Sequence, residues 1–313
     1  MDTRVFSPEK VYNDGILDYV TSAEYYKRKS NQLSVIFENS SLLHDYGSKL
    51  YACGSFLGFA WDADASRVTL SRSNFCRVRF CPMCQWRRSR RLAVDLADLW
   101  ADLISDGYDF LHVVLTVKNT GADDLKDTID GMQKAYRNML HDPALIAWKG
   151  ALRFLEVTYS EGSDTYHPHF HSLVIVRKSY YHSRHYVSTD ALRELWKKYL
   201  RSDYLPQCYI SKADTHAINE VAKYCVKPFD LECDDWKTER KVYETLYFAL
   251  HGRRLFQAFG HVRIHRQQAE NGLAASADPA DGPTDGQARI CDLSYDYRSR
   301  VYRPLASESF SAS

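Results

Sequence analysis

The run Tyr166-His-Pro-His-Phe-His-Ser-Leu-Val-Ile-Val narrows what this chain can become more than any other segment. Side chains alternate across a strand, so His169 and His171 project from one face while Phe170 turns into the core. Two imidazoles then converge on one point, as metal ligands do. The His-x-His pattern alone is weak, because twelve histidines in 313 residues produce it by chance about half the time. Its neighbourhood strengthens it. Phe154-Leu-Glu-Val-Thr-Tyr reads as an apolar strand interrupted by a carboxylate, joined to the histidine strand by the loop Ser160-Glu-Gly-Ser-Asp-Thr-Tyr. A mid-strand acid is costly unless paired or exposed, which makes Glu156 the candidate third ligand, with a water-facing edge strand as the alternative. Two imidazoles and a carboxylate with open positions suit Mn²⁺, or Mg²⁺ with a looser fit. His167 shares the face, but next to Pro168 a structural role suits it as well, so it stays outside the ligand set.

Around this strand the chain reads as a mixed α and β domain. Strands are expected at Phe110 to Val117, Leu152 to Thr158, His169 to Val176 and Gln207 to Ser211, each rich in branched or aromatic residues. Apolar stripes at Leu92, Leu96, Leu99 and Leu103, at Leu125, Ile129, Met132 and Tyr136, and at Leu192, Leu195, Trp196 and Tyr199 predict three helices. Beyond Gln267 the sequence is small, polar and broken by Gly and Pro, with little to bury. Three regions are therefore expected: residues 1–105 as a zinc- and DNA-binding region, 106–266 as the catalytic domain, and 267–313 as a flexible tail. No apolar run approaches the ~20 residues of a membrane span. The N-terminus lacks a basic region and a small-residue cleavage site, so a cytoplasmic protein is expected, with no membrane partner.

In a reducing compartment, closely spaced cysteines favour metal over disulfides. In Phe75-Cys-Arg-Val-Arg-Phe-Cys-Pro-Met-Cys, the knuckle of Cys81 and Cys84 suits tetrahedral Zn²⁺, and Cys76 supplies a third thiolate. Cys53 is the candidate fourth ligand, brought in from a separate strand, with His44 as its substitute. Lys plus Arg number 41 against 40 Asp plus Glu, so any nucleic acid must be met by a local patch. Such a patch exists: eight arginines and no Asp, Glu or Lys lie between Arg67 and Arg91. Arg77, Arg79, Arg87, Arg88, Arg90 and Arg91 are the candidate phosphate contacts, against the plainer reading of a solvated helix face.

The segment from Asp214 to Pro228 carries an apolar stripe at Ile218, Val221, Ala222 and Cys225. Glu220, Lys223, Tyr224 and Lys227 then share the opposite helix face. A solvated face explains the row too, but a tyrosine beside a metal has further use. Its hydroxyl, with an ordinary pKa of ~10, is a poor nucleophile unless a cation makes the phosphate more electrophilic. Lys227 can stabilise the charge, and Glu220 can act as general base in a second displacement.

Taken in order, these segments resemble the HUH endonuclease replication initiators of small rolling-circle plasmids, of the single-tyrosine type. Phe110-Leu-His-Val-Val-Leu-Thr-Val-Lys-Asn is similar to the first motif strand, Glu156 with His-Pro-His-Phe-His at 167–171 to the metal motif, and Val221-Ala-Lys-Tyr-Cys-Val-Lys to the nucleophile motif. The cysteine and arginine segment is similar to the family's N-terminal zinc element. The resemblance covers about residues 50 to 265 and implies an α+β fold, a central antiparallel sheet flanked by helices. It implies that Tyr224 attacks a phosphodiester at the plasmid origin, single-stranded or in a hairpin, leaving a 5′-phosphotyrosine and a 3′-hydroxyl primer. Lys223 would contact the DNA. Glu220 stands where phage-type initiators carry a second tyrosine, which implies termination by hydrolysis and limited reinitiation. A host helicase and DNA polymerase are the implied partners.

Three rivals remain: an HUH transposase or relaxase, a zinc-dependent DNA- or RNA-binding regulator with structural His and Tyr, and a metal-dependent hydrolase without a covalent step. The upstream zinc element favours the initiator over the first.

Overall fold

The computed structural model describes residues 16–62, 67–213, 231, 233–261 and 287–305. In chain order the elements are α1 (Leu17–Glu38), α2 (His44–Ala52), β1 (Phe56–Asp62), β2 (Arg67–Ser73), α3 (Pro82–Ser105), β3 (Tyr108–Thr116) and α4 (Leu125–Met139). There follow β4 (Gly150–Ser160), β5 (Thr165–Arg177), α5 (Thr189–Leu200), β6 (Cys208–Lys212), α6 (Trp236–Leu250), β7 (Phe256–Gly260), β8 (Gln287–Asp296) and β9 (Val301–Pro304). The chain forms two compact units, residues 1–86 with 273–313 and residues 87–272, so the division falls within α3.

The first unit holds α1, α2 and an antiparallel sheet in the order β2-β1-β8-β9. Expected as part of a flexible tail, residues 287–304 instead supply two of its strands, with Phe56 opposite Ser294 and Asp62 opposite Gln287. A charge pair fixes that return. Gly58 on β1 stands between Arg72 on β2 and Asp292 on β8, and Arg72 Nη2 reaches both Asp292 carboxylate oxygens, at 2.8 and 2.7 Å. A Cβ at Gly58 would stand 2.8 Å from Asp292 Oδ1, so glycine leaves the gap through which two non-adjacent strands pair their charges. The carboxylate partner lies far along the chain, in a segment whose composition offered no apolar stripe.

The second unit is built on a five-stranded antiparallel sheet in the order β6-β3-β5-β4-β7. Four of its strands lie within a few residues of their expected positions: β3, β4 and β5 because their Val, Ile, Leu and Phe runs are largely buried, and β6 as a short edge strand with no fully buried residue. β7 was not expected: five residues with only half-buried side chains carry little periodic signal. The three expected helices are present as α3, α4 and α5, while α1, α2 and α6 add to them. α5 starts at Ser188, whose side chain accepts from the Ala191 N–H, as an N-cap residue does.

The two sheet faces differ. On one, Leu96 and Leu103 of α3 pack with Phe110, Leu152, Phe154, Leu173 and Ile175, each buried side chain contributing on the order of 2 kcal/mol. On the other, Phe170 lies 5.5 Å from the Tyr136 ring of α4 and 6.3 Å from the Trp196 ring of α5. Along β5 the first face changes from His167, His169 and His171 to Leu173 and Ile175, so one end of the sheet is greased and the other is polar.

Candidate metal centres

The polar end of the sheet carries the first centre. Register sets Glu156 of β4 opposite His169 of β5, and Phe154 opposite His171, which brings both histidines and the acid to the same face. Glu156 Oε2 stands 3.0 Å from His169 Nε2 and 3.0 Å from His171 Nε2. Glu156 and His171 are buried and His169 is half-buried, so Glu156 does not face water as the edge-strand alternative requires, even though β4 pairs with β7 only over Gly150 to Phe154. Burial pushes the Glu156 carboxyl up, but the two imidazoles more than offset that and hold it down at about 2.

The donor chemistry fits a cation. His169 Nδ1 lies 3.1 Å from the His167 carbonyl oxygen, which only accepts, so Nδ1 carries the hydrogen and a neutral ring presents a lone pair at Nε2. That lone pair faces a carboxylate oxygen, a repulsive contact unless a proton or a metal ion lies between. Donors at right angles around an ion with bonds of ~2.1 Å stand about 3.0 Å apart, the spacing seen. His167 lies beside the centre but is engaged with Asn119, Nδ1 to Oδ1 at 2.9 Å, and is not among the converging donors.

The second centre lies in the first unit. The sulfurs of Cys53, Cys76, Cys81 and Cys84 all lie within 4.8 Å of one another. Cys53 to Cys84 is 3.6 Å and Cys76 to Cys84 is 3.7 Å, near the ~3.8 Å separating two thiolates on one tetrahedral zinc. Backbone N–H groups of Cys76 and Arg77 donate to Cys53 Sγ at 3.3 Å and Cys84 Sγ at 3.2 Å, a contact that stabilises thiolates. Cys53 comes not from a strand but from the end of α2. His44, its considered substitute, is exposed and its Nδ1 sits 2.8 Å from the Glu38 carbonyl oxygen, away from the cluster.

Lys27 was missed and bears on this centre. It is fully buried, its ammonium donates to the Tyr51 carbonyl, and it lies 5.1 to 5.7 Å from the ring centroids of Tyr51, Tyr295 and Tyr297. Burial lowers its pKa to about 8, opposed by Cys53, Cys81 and Cys76. A buried ammonium needs a counter-charge, and Cys53, Cys81 and Cys76 would supply it as thiolates.

Of the arginines, Arg77, Arg88, Arg90 and Arg91 are exposed while Arg79 and Arg87 are half-buried. Arg77 adopts a left-handed backbone at φ 59° within the cysteine loop. Glu220, Lys223, Tyr224 and Lys227 lie outside the described residues. A further residue of the first centre was also overlooked: His112 of β3, whose Nε2 is 3.4 Å from His171 Nδ1. It lay in plain view in the Phe110 to Asn119 run, but only strand register shows that it faces His171.

An antiparallel α+β sheet carries an imidazole–imidazole–carboxylate cluster at one end, in a chain that also has a four-cysteine cluster, and each is a group of side chains that could hold a metal ion. The family described as Replication protein matches residues 67–303. The chain belongs to this replication protein family, as the resemblance to rolling-circle plasmid initiators implied. It is 31% identical over 244 residues to a "Protein rep" of Bacillus sp, covering 70% of this chain and 79% of that one. A "Protein rep" of Streptococcus pneumoniae serotype 2 (strain D39 / NCTC 7466) is 31% identical over 232 residues, 71% of this chain and 72% of the relative. One of Staphylococcus aureus is 29% identical over 210 residues, 65% of this chain and 92% of the relative. No solved structure matches. None of the described helices is long and apolar enough to cross a membrane.

Proposed function

We propose that this replication protein initiates rolling-circle replication of a plasmid by nicking one strand at the double-strand origin. The observation that carries the reading is the single Glu156 oxygen held 3.0 Å from two imidazole nitrogens on one sheet face. Glu156, His169 and His171 would hold Mn²⁺ or Mg²⁺, which supplies Lewis acidity toward a phosphate oxygen. The Tyr224 hydroxyl would give its proton to solvent and attack phosphorus. A P–O bond to tyrosine forms, the P–O3′ bond breaks, and the departing 3′-oxygen takes up a proton to become the primer. Lys227 balances charge on the phenolate or the phosphate. Glu220 later accepts a proton from a water or a 3′-hydroxyl, whose attack releases the tyrosine and ends the cycle by strand transfer or hydrolysis.

Cys53, Cys76, Cys81 and Cys84 would bind a structural Zn²⁺, and the arginines at 77, 79, 87, 88, 90 and 91, with Lys223, would grip the DNA backbone. The origin strand, single-stranded or in a hairpin, is the substrate, and in the cytoplasm a host helicase would unwind the duplex while a DNA polymerase extends the primer. The test is a denaturing gel of labelled single-stranded origin DNA incubated with wild type or Tyr224→Phe, in Mn²⁺ or EDTA. A covalent adduct that needs both Tyr224 and the metal is expected. Origin binding by wild type without any adduct would leave a non-catalytic DNA-binding regulator as the better reading.

A further inference from the structure

The two imidazoles of the sheet-end centre are anchored differently. His169 is oriented by a backbone carbonyl, that of His167 at 3.1 Å from Nδ1, which no substitution of a side chain removes. His171 is oriented by another side chain: its Nδ1 lies 3.4 Å from His112 Nε2, with the two rings 10° from parallel and 5.6 Å apart. His112 stands opposite Leu173 and so is the diagonal neighbour of His171 on the same sheet face. On its other side lies the ring of Tyr209 from β6, 6.4 Å away and edge-on at 70°. His112 is therefore held between two strands, with its Nε2 presented to a metal-ligand candidate.

Resting on the metal reading above, we infer that His112 is a positioning residue that fixes the tautomer and ring angle of His171. The logic is a proton count. If His171 gives its Nε2 lone pair to a cation, its Nδ1 must keep the hydrogen and donate it. His112 Nε2 must then accept, so the hydrogen of a neutral His112 lies on Nδ1. An imidazole that donates to an acceptor is a more basic ligand and cannot rotate its Nε2 away, and removing such a partner typically costs 10- to 100-fold in metal affinity. His112 thus supplies the acceptor that the metal-binding form of His171 requires, whereas without an ion the His171 Nε2–H turns to Glu156 and the His112 to His171 hydrogen bond reverses.

Mn²⁺ titration of zinc-replete full-length protein, followed by the electron spin resonance of free Mn²⁺, tests this with wild type, His171→Ala, His112→Leu and His112→Gln. Wild type is expected to bind one ion that His171→Ala abolishes. His112→Leu, with no acceptor, should weaken binding about 10-fold, whereas His112→Gln, whose carbonyl accepts, should stay within about 3-fold. Imidazole ¹⁵N spectra of the Mg²⁺-loaded protein should show the hydrogen of His112 on Nδ1, with Nε2 accepting from His171, and a hydrogen on His112 Nε2 in the loaded state overturns the inference. Equal affinity of His112→Leu and wild type overturns the inference, as does a loss in His112→Gln equal to that in His112→Leu. Mn²⁺ binding indifferent to His171→Ala would instead sink the metal site itself, and the positioning role with it.

Discussion

The two candidate centres present opposite answers to the same problem of holding a cation. In the first unit, four sulfurs converge within 4.8 Å of one another, enough for a closed tetrahedral set, and backbone N–H groups donate to two of them. In the second, two nitrogens and one oxygen converge from a single sheet face, and among the described residues no fourth donor joins them. A closed tetrahedral set spends its coordination on the fold, whereas an incomplete set keeps positions for a substrate. The surroundings agree. The cysteines sit on loops and helix ends, but Glu156, His169 and His171 sit on strands already paired by their backbones.

The largest effect expected from that contrast is on stability. Cys53→Ser should abolish stoichiometric zinc by elemental analysis and remove the folded signature of the first unit, because structural zinc is worth ~10 kcal/mol or more to small folds. A Cys53→Ser protein that melts like wild type would show the cluster to be four ordinary buried thiols. Glu156→Gln should do the reverse: divalent-ion affinity falls by at least about 100-fold, with thermal stability changed by ~1 kcal/mol or less, since the sheet does not depend on the ion. Unfolding of Glu156→Gln would break the comparison, making the second centre structural as well.

A finer prediction concerns Lys27. If its ammonium offsets the charge of a thiolate-bound ion, Lys27→Met should release zinc to a colorimetric chelator roughly 10-fold more readily, although the substitution adds apolar character to a buried site. Faster unfolding without faster zinc release would mark Lys27 as a packing residue only.

How much of this was legible depends on how far apart the contributing residues lie. The cysteine knuckle and the His-x-His strand are local, so spacing exposed them; Glu156 followed because one short hairpin joins it to that strand. Three sheet strands were readable as buried apolar runs, and β6 as a short run with a β-branched and an aromatic residue. What was not readable depends on long-range pairing. β8 and β9 follow a segment poor in apolar residues and are recruited by β1 and by the Arg72 to Asp292 pair. His112 has no meaning until register sets it diagonal to His171. Lys27, on a helix that no motif marked, gains its role only from tyrosines and cysteines many residues away.

The smallest expected effect asks whether the scaffold under the open centre is held by its own contacts. Asp142, just after α4, accepts from the Ala144 N–H at 2.9 Å, from the Lys198 ammonium at 2.9 Å and from the Tyr199 hydroxyl at 2.8 Å, tying that turn to α5. The Ala144 N–H first, then Lys198 and Tyr199, hold its carboxyl down at about 2 against an ordinary 3.8. A group depressed on folding stabilises the native state above its unfolded pKa, and that contribution disappears as pH falls through the folded value. Asp142→Asn keeps the acceptor for Ala144 but not the charge. Its melting temperature should lie ~3 °C below wild type near neutrality, and the two curves should meet by about pH 2. The same difference is expected with EDTA present. If chelation alone erased it, the ion at Glu156, His169 and His171 would be supporting the sheet, and the division between a structural centre and an open one would no longer hold.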